Sequence, residues 1–241
     1  MQDMIEKLFS VGAHFGYAPR YRHPSTKHFI YGAKGGFELI DLEQTASALE
    51  RAKAFLKETA AARKQVLFVG SKAEASQALK RAAQRVGEPY VSSRFIGGTL
   101  TNFSEIKKRL SRLAELTEMK EKGELAKFTK LERLLIERQM QGLTATFGGL
   151  RGMERLPGAL VVVDPKRENI AVEEAKALRI PVVALLNTDC DASGISYPVP
   201  ANDANTASIA LILDELAAAV RAGIDTPAPV AAPAPTEENG K

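Results

Sequence analysis

The chain has 241 residues, of which 45% are hydrophobic and 26% charged, and its formal net charge at pH 7 is +4. This composition is typical of a globular protein, whereas the lack of tryptophan and the aromatic content of 6% disfavour binding by stacking of unpaired bases. No apolar run approaches the length of a membrane-spanning helix, and a single cysteine, Cys190, excludes an internal disulfide.

The chain begins with a short amphipathic helix. Ile5, Leu8 and Phe9 fall on one face of residues 2–10, and Gly12 is predicted to end the helix. This segment lacks the layout of a signal peptide, so we expect the protein to reside in the cytoplasm.

An irregular loop follows, with the sequence GAHFGYAPRYRHPSTKHFIYGAKGG. Arg20, Arg22 and Lys27 alternate there with tyrosine and phenylalanine. Such a mixture suits binding of phosphates by the cations while the rings pack on sugars or on the protein. A solvated loop whose aromatic side chains fold back onto the core explains the same pattern equally well.

Short apolar runs alternate with helical patterns through most of the remaining chain. Strands are predicted at residues 37–42, 65–70, 89–92, 159–164 and 181–186, and helices at residues 43–62, 71–86, 167–179 and from a cap at Asn202 or Asp203 to residue 222. Apolar strands that alternate with helices indicate a parallel sheet with right-handed crossovers. The predicted fold is therefore α/β, with a three-layer, flavodoxin-like parallel sheet of about five strands.

An insertion interrupts this body. Asn102 and Thr129 each precede a glutamate by three residues, which predicts two helix starts, and apolar residues recur at steps of three and four in both segments. Two such helices with a short connection predict an antiparallel coiled-coil hairpin. The expected domains are a body (1–100 and 150–225), a hairpin (101–149) and a Pro/Ala-rich tail (226–241) that we expect to be disordered.

Positive charge is concentrated in the opening loop and in the insertion, where residues 101–140 hold ten Lys and Arg against seven Glu. The cations at the predicted base of the hairpin are Arg94, Lys107, Lys108, Arg109 and Arg112. They exceed what pairing with Glu105 and Glu115 would neutralise. A solvated arm or a dimerisation coil would explain these charges without a nucleic acid, but a basic arm also suits binding of structured RNA through its phosphates.

Two loops have features of ligand sites. The turn in FVGSKAEA lacks both nucleotide-binding glycine motifs, so a plain strand-to-helix turn is the favoured interpretation. In NTDCDASG, Asp189 and Asp191 suit a divalent ion or a sugar nucleotide, but Asx turns explain them without a ligand. An enzyme acting on a nucleotide or sugar phosphate at these loops is the alternative hypothesis, although Cys190 lacks a basic neighbour and no catalytic triad stands out.

Three stretches together resemble the bacterial small-subunit ribosomal protein S2 family: GAHFGYAPRYRHPSTKHFIYG, LFVGSKAEA with SSRFIGGTLTNF, and LPGALVVVDPKRENIAVEEAKALRIPVVALLNTDCD with PVPANDA. The resemblance implies a flavodoxin-like domain with a protruding hairpin and a non-enzymatic, structural role in the small ribosomal subunit. It implies no required cofactor and no small-molecule substrate. The implied partners are ribosomal RNA and neighbouring ribosomal proteins, including S1.

The expected RNA-binding residues are Arg20, Arg22, Lys27, Arg94, Lys107, Lys108, Arg109 and Arg112. Some family members hold a metal ion between the histidine of the HFG motif and aspartates of later loops. Here the resemblance implies a possible divalent ion on His14, Asp189 and Asp203. The sequence departs from the family pattern at Asn187, where members usually have Asp, at Tyr17, where His is common, and in the run RHPSTK.

Overall fold

The computed structural model describes residues 2–226. Its helices are α1 (Gln2–Ser10), α2 (Leu42–Ala61), α3 (Ala73–Val86), α4 (Phe103–Glu121), α5 (Lys130–Phe147), α6 (Asn169–Ala177) and α7 (Thr206–Ile224). Its strands are β1 (Ile30–Lys34), β2 (Phe37–Ile40), β3 (Val66–Val69), β4 (Tyr90–Val91), β5 (Ala159–Val163), β6 (Val182–Leu186) and β7 (Tyr197–Pro200). The tail that was expected to be disordered lies, apart from Thr226, outside the described residues.

A five-stranded parallel sheet forms the centre of the body, in the order β4-β3-β5-β6-β7. The strand order reverses between β3 and β5, as in flavodoxin-like folds, so the predicted fold class is confirmed. A separate antiparallel pair, β1 and β2, lies outside this sheet.

The two faces of the sheet bury different sets of side chains. Val66 and Phe68 point into a core shared with α1, α2, α3 and α7, whereas Leu67 and Val69 point into a second core with α6 and the base of α4. This alternation follows from the two-residue period of a strand. Both faces are covered, which explains why the central strands are apolar throughout.

The identity of the fifth strand differs from the prediction. Residues 37–40 do form a strand, but it pairs with β1 in the small antiparallel sheet. The fifth parallel strand is β7, which contains Pro198 and Pro200 and lies at an edge of the sheet. An edge strand tolerates proline because one side of its backbone needs no partner. The cap of α7 also differs, since Asn205 accepts from the backbone N–H of Ala207.

The insertion forms two helices, α4 and α5, that contact each other. The predicted capping box of Thr129 and Glu132 is present, but Asn102 makes no side-chain cap. Ile106 and Leu113 on the predicted apolar seam of α4 are buried. Coiled-coil packing between the helices and the division into domains stay predictions. Within residues 2–226, no helix combines the length and apolar character that crossing a membrane would require.

Candidate nucleic-acid interface

A buried carboxylate on α6 fixes the base of the hairpin. Glu174 is only 9% exposed, and it accepts hydrogen bonds from the backbone N–H groups of Gly98, Leu100 (2.9 Å) and Thr101 (3.1 Å). These residues belong to the segment that leads into α4. A carboxylate that accepts several N–H bonds makes strong, charge-assisted contacts. Glu174 therefore ties the start of the arm to the body, a role that sequence reasoning missed because nothing within α6 marks this glutamate.

The cations that follow this clamp are exposed and only weakly neutralised. Lys108 lies 2.6 Å from Glu105, and Arg112 lies 3.1 Å from Glu115. All four side chains are about half exposed or more, and surface pairs of this kind contribute little free energy. Lys107 lies over the ring of Phe103, with its ammonium 5.3 Å from the ring centroid. These side chains remain available to an anionic partner.

Like Lys27, Arg94 and Arg109 form no side-chain hydrogen bond or salt bridge among the described residues. Both arginines are exposed. Arg94 follows β4, and Arg109 lies in the second turn of α4. The prediction that these charges exceed local neutralisation agrees with this geometry. The structure contains no RNA, so their role in binding it stays a prediction.

Thr188, which lies two residues after β6, makes several of the hydrogen bonds that hold the opening loop on the body. The carbonyl oxygen of Thr188 accepts from the backbone N–H of His23 and from the hydroxyl of Thr26, both at 2.8 Å, and its hydroxyl accepts from the N–H of Tyr17 at 3.0 Å. A Cβ on Gly16 would lie 2.7 Å from the methyl of Thr188, so only glycine fits there. The loop is therefore docked along its length.

The three loop cations have different surroundings. Arg22 donates to the buried carboxylate of Glu38 at 3.1 Å, the Arg20 guanidinium lies 4.6 Å from the ring centroid of Tyr21, and Lys27 is exposed. Some of the aromatic rings of the loop are buried and others are exposed, so packing of the rings onto the body is seen in part. Phosphate binding by the loop cations stays a prediction. The loop docks after β6 and Arg94 follows β4, so both lie near the carboxyl edge of the sheet. These two strands are three strand spacings, or roughly 14 Å, apart.

Many flavodoxin-like proteins bind a ligand in the crevice at the carboxyl edge of the sheet. In this protein the side chain of Lys72 occupies that crevice. Lys72 follows β3 with only 12% of its side chain exposed, and its ammonium lies 2.9 Å from Asp203 and 3.6 Å from Asp164. Burial by itself lowers the pKa of Lys72, but the hydrogen bond and charge of Asp203 outweigh burial and raise it. The turn that was weighed as a phosphate cradle thus points its lysine inward, which argues against the enzyme hypothesis.

Two of the three predicted metal ligands have other polar partners, whereas the Nδ1 atom of the third, His14, is buried without a hydrogen-bond partner among the described residues. Asp203 accepts from Lys72 and from the Asn187 amide (3.0 Å), Asp189 pairs with Lys166 (2.9 Å), and His14 stacks on the rings of two phenylalanines. In the part of the chain that the structure describes, no group of three or more His, Cys, Asp or Glu side chains is arranged to hold a metal. The residues therefore do not fit a resident metal. Asn187 explains part of this, because its amide donates to Asp203 where an aspartate would repel it.

The Cys190 thiol is expected to be unreactive in the native protein. Cys190 is fully buried, and burial raises the pKa of the thiol well above its usual value, so little thiolate forms at pH 8. Ellman's reagent should leave the native chain unmodified and titrate one thiol per chain in guanidinium chloride. Reaction of the native protein at the rate of a free thiol would show that the carboxyl edge of the sheet opens readily.

Comparison with known proteins is consistent with this arrangement. Residues 8–223 match the family model described as "Ribosomal protein S2". The "Small ribosomal subunit protein uS2" of Acidothermus cellulolyticus is 45% identical over 221 residues, which cover 91% of this chain and 80% of that protein. Proteins of the same name from Nocardia farcinica (43%; 94% of this chain and 80% of the relative) and Micrococcus luteus (44%; 91% and 78%) are similarly close.

Proposed function

The chain belongs to the ribosomal protein S2 family, and from this premise we propose that it binds small-subunit ribosomal RNA through two cationic groups, one at the base of the hairpin and one in the opening loop. Members of the family are structural proteins of the small ribosomal subunit, not enzymes, and the family has no cofactor requirement. The chain accordingly has a structural role in translation, in the cytoplasmic ribosome.

The proposal rests on one observation: the cations at the base of the hairpin are exposed and weakly paired, and Glu174 holds the start of the hairpin on the body. Arg94 and Arg109 bracket the segment that Glu174 clamps, so their positions are set by the body before any partner binds. A backbone fixed in this way need not be ordered when the arginines bind phosphate, which lowers the conformational entropy that binding costs. Because such contacts go to the RNA backbone, they position the protein and do not read bases.

Neighbouring proteins form the second part of the proposal. Phe9 and Phe15 are 64% and 48% exposed and flank the ring of His14. Exposed aromatic side chains that lie together favour a protein interface. We assign this surface to contacts with other small-subunit proteins, with S1 as the partner that the family resemblance implies.

Replacing Arg94 and Arg109 together by glutamine is expected to reduce the salt dependence of RNA binding. The slope of log K against log salt is negative, and each phosphate contact that is lost reduces its magnitude by about 0.7–0.9. Loss of two contacts therefore predicts a reduction of roughly 1.4–1.8. The measurement is filter binding of the full chain to a small-subunit rRNA transcript over a series of salt concentrations.

The matched control is Arg51→Gln with Lys57→Gln, which removes the same charge from exposed positions on α2. This control should leave the slope close to that of the unaltered chain. An equal effect of both pairs would indicate attraction by net charge alone. An affinity of the unaltered chain that does not change with salt would overturn the proposal.

A further inference from the structure

A polar cavity of about 350 Å³ lies where the hairpin returns to the body. One wall comes from α3 and from residues 90–93 at the outer edge of β4, and the other comes from the end of α5 and the turn after it. Because β4 is an edge strand, this cavity lies beside an edge of the sheet that no further strand covers. Neither wall belongs to the two cationic groups described above.

The lining has the chemistry of a phosphate site. Its polar side chains are Lys80, Tyr90, Ser92, Ser93, Thr144, Thr146 and Arg151. The residues that line the cavity include two cations and no carboxylate, so the space has a net positive charge. Most small-molecule pockets are lined mainly by apolar side chains. Arg and Lys together with Ser and Thr hydroxyls are instead the groups that proteins use to bind phosphate oxygens.

The cavity is preformed because its two walls are joined by direct contacts. The Ser93 hydroxyl donates to the carbonyl oxygen of Ala145 at 3.2 Å. A Cβ on Gly149 would collide with the carbonyl oxygen of Tyr90, so the turn after α5 packs directly on the edge strand. The Arg151 guanidinium lies 3.5 Å from the Thr144 hydroxyl, within the lining. A site built in this way needs little rearrangement to accept an anion.

We propose that this cavity is a separate phosphate-binding site, in which Lys80 and Arg151 hold one backbone phosphate of the bound RNA and the hydroxyls of Ser92 and Thr144 donate to its oxygens. The proposal rests on the proposed RNA binding and adds a contact on the side of the hairpin where α5 ends. The hairpin would then be fixed to RNA at both of its junctions with the body, at Arg94 where it leaves and at Arg151 where it returns.

The test replaces Lys80 and Arg151 by glutamine in the full chain. Both side chains are exposed, so the variant is expected to fold, and its melting temperature in chloride should match that of the unaltered chain. Loss of one phosphate contact predicts a decrease of about 0.7–0.9 in the slope of log K against log salt. The affinity for the rRNA transcript is expected to fall roughly tenfold, since hydrogen bonds to charged groups are lost. The control is again Arg51→Gln with Lys57→Gln.

A second arm uses inorganic phosphate without RNA, at the ionic strength of a chloride reference. Stabilisation of the unaltered chain by phosphate, absent in the variant, supports the site even if the transcript does not bind at all. Phosphate stabilisation with an unchanged RNA slope would show that the cavity takes free phosphate and would overturn its assignment to RNA. If the double variant has an unchanged RNA slope and phosphate does not raise the melting temperature of the unaltered chain, the cavity is not a phosphate site. The RNA contacts proposed for Arg94 and Arg109 can still hold in that case.

Discussion

Replacing Lys72 by methionine is expected to lower the free energy of unfolding by about 3–5 kcal/mol, because it leaves the buried carboxylate of Asp203 without its cation. Asp203 is 1% exposed, and its remaining partner is the Asn187 amide. Methionine is close to lysine in length, so the change removes charge more than volume. For a chain of this size, the loss corresponds to a decrease in melting temperature of roughly 6–20 °C. The measurement is urea unfolding at neutral pH together with a thermal scan.

The control is Lys166→Met, the same change at the same edge of the sheet. Lys166 pairs with Asp189 at 2.9 Å but is 60% exposed, so its loss should cost at most about 1 kcal/mol. Adding Asp203→Asn to Lys72→Met should recover a large part of the loss, because both members of the pair are then neutral and Asn187 keeps an acceptor. Equal effects of the two lysine variants would contradict a buried, strongly coupled pair.

The pH dependence of this contribution follows from the raised pKa of Lys72. A lysine whose pKa is raised in the folded protein favours folding fully at every pH below its ordinary value of 10.5. That stability is lost only as the pH rises from 10.5 towards the pKa in the folded state. The contribution of the Lys72 charge to the difference between the unaltered chain and Lys72→Met should therefore be constant near neutrality and shrink in alkaline solution.

Much of the fold follows from local patterns. Apolar runs and caps predicted the central strands and most helices within a few residues, because burial on both faces leaves a clear signal. The capping box at Thr129 formed as predicted since all its atoms lie within one turn. The strand β7 was missed because two of its four residues are prolines. Prolines are tolerated there only because the strand lies at the edge of the sheet, and that position depends on residues distant in the chain.

The buried charges of the site could not be predicted in the same way. Lys72 and Asp203 are 131 residues apart, and Glu174 is 76 residues from Gly98. Their pairing depends on which strands lie side by side in the sheet. Neither the composition of the chain nor the spacing of its apolar residues contains this information. A charged residue shows no local sign that it will be buried. The exposed cations of α4 were easier to identify, because helical spacing alone places them on the surface.

Replacing Glu174 by alanine is expected to loosen the base of the hairpin and to lower the free energy of unfolding by about 2–4 kcal/mol. The change removes the shared acceptor of three backbone N–H groups, of which that of Leu100 is buried and would be left without a partner. Hydrogen exchange should locate the effect, with faster exchange at the amides of Gly98, Leu100 and Thr101. Glu174→Gln should lower the free energy of unfolding by a smaller amount, because its amide oxygen still accepts a hydrogen bond while its NH₂ group faces a donor.

Glu173 supplies the control, since it is the neighbouring residue on α6, is 70% exposed and pairs only with Lys176 on its own helix. Glu173→Ala is expected to change stability by no more than about 0.5 kcal/mol. Unchanged protection of the three amides in Glu174→Ala would mean that the segment is held by other contacts, and the clamp would lose its assigned role.

The two alanine variants also separate positioning from simple charge in RNA binding. Each removes one negative charge, and attraction to a polyanion should by itself strengthen as negative charge is removed. Glu173→Ala should therefore bind the rRNA transcript at least as tightly as the unaltered chain. Glu174→Ala should bind it roughly tenfold more weakly, a loss of ~1.4 kcal/mol, because the arginines on either side of the clamp no longer share a fixed geometry. Binding by Glu174→Ala as tight as that of Glu173→Ala would show that the charges act without the geometry that Glu174 imposes.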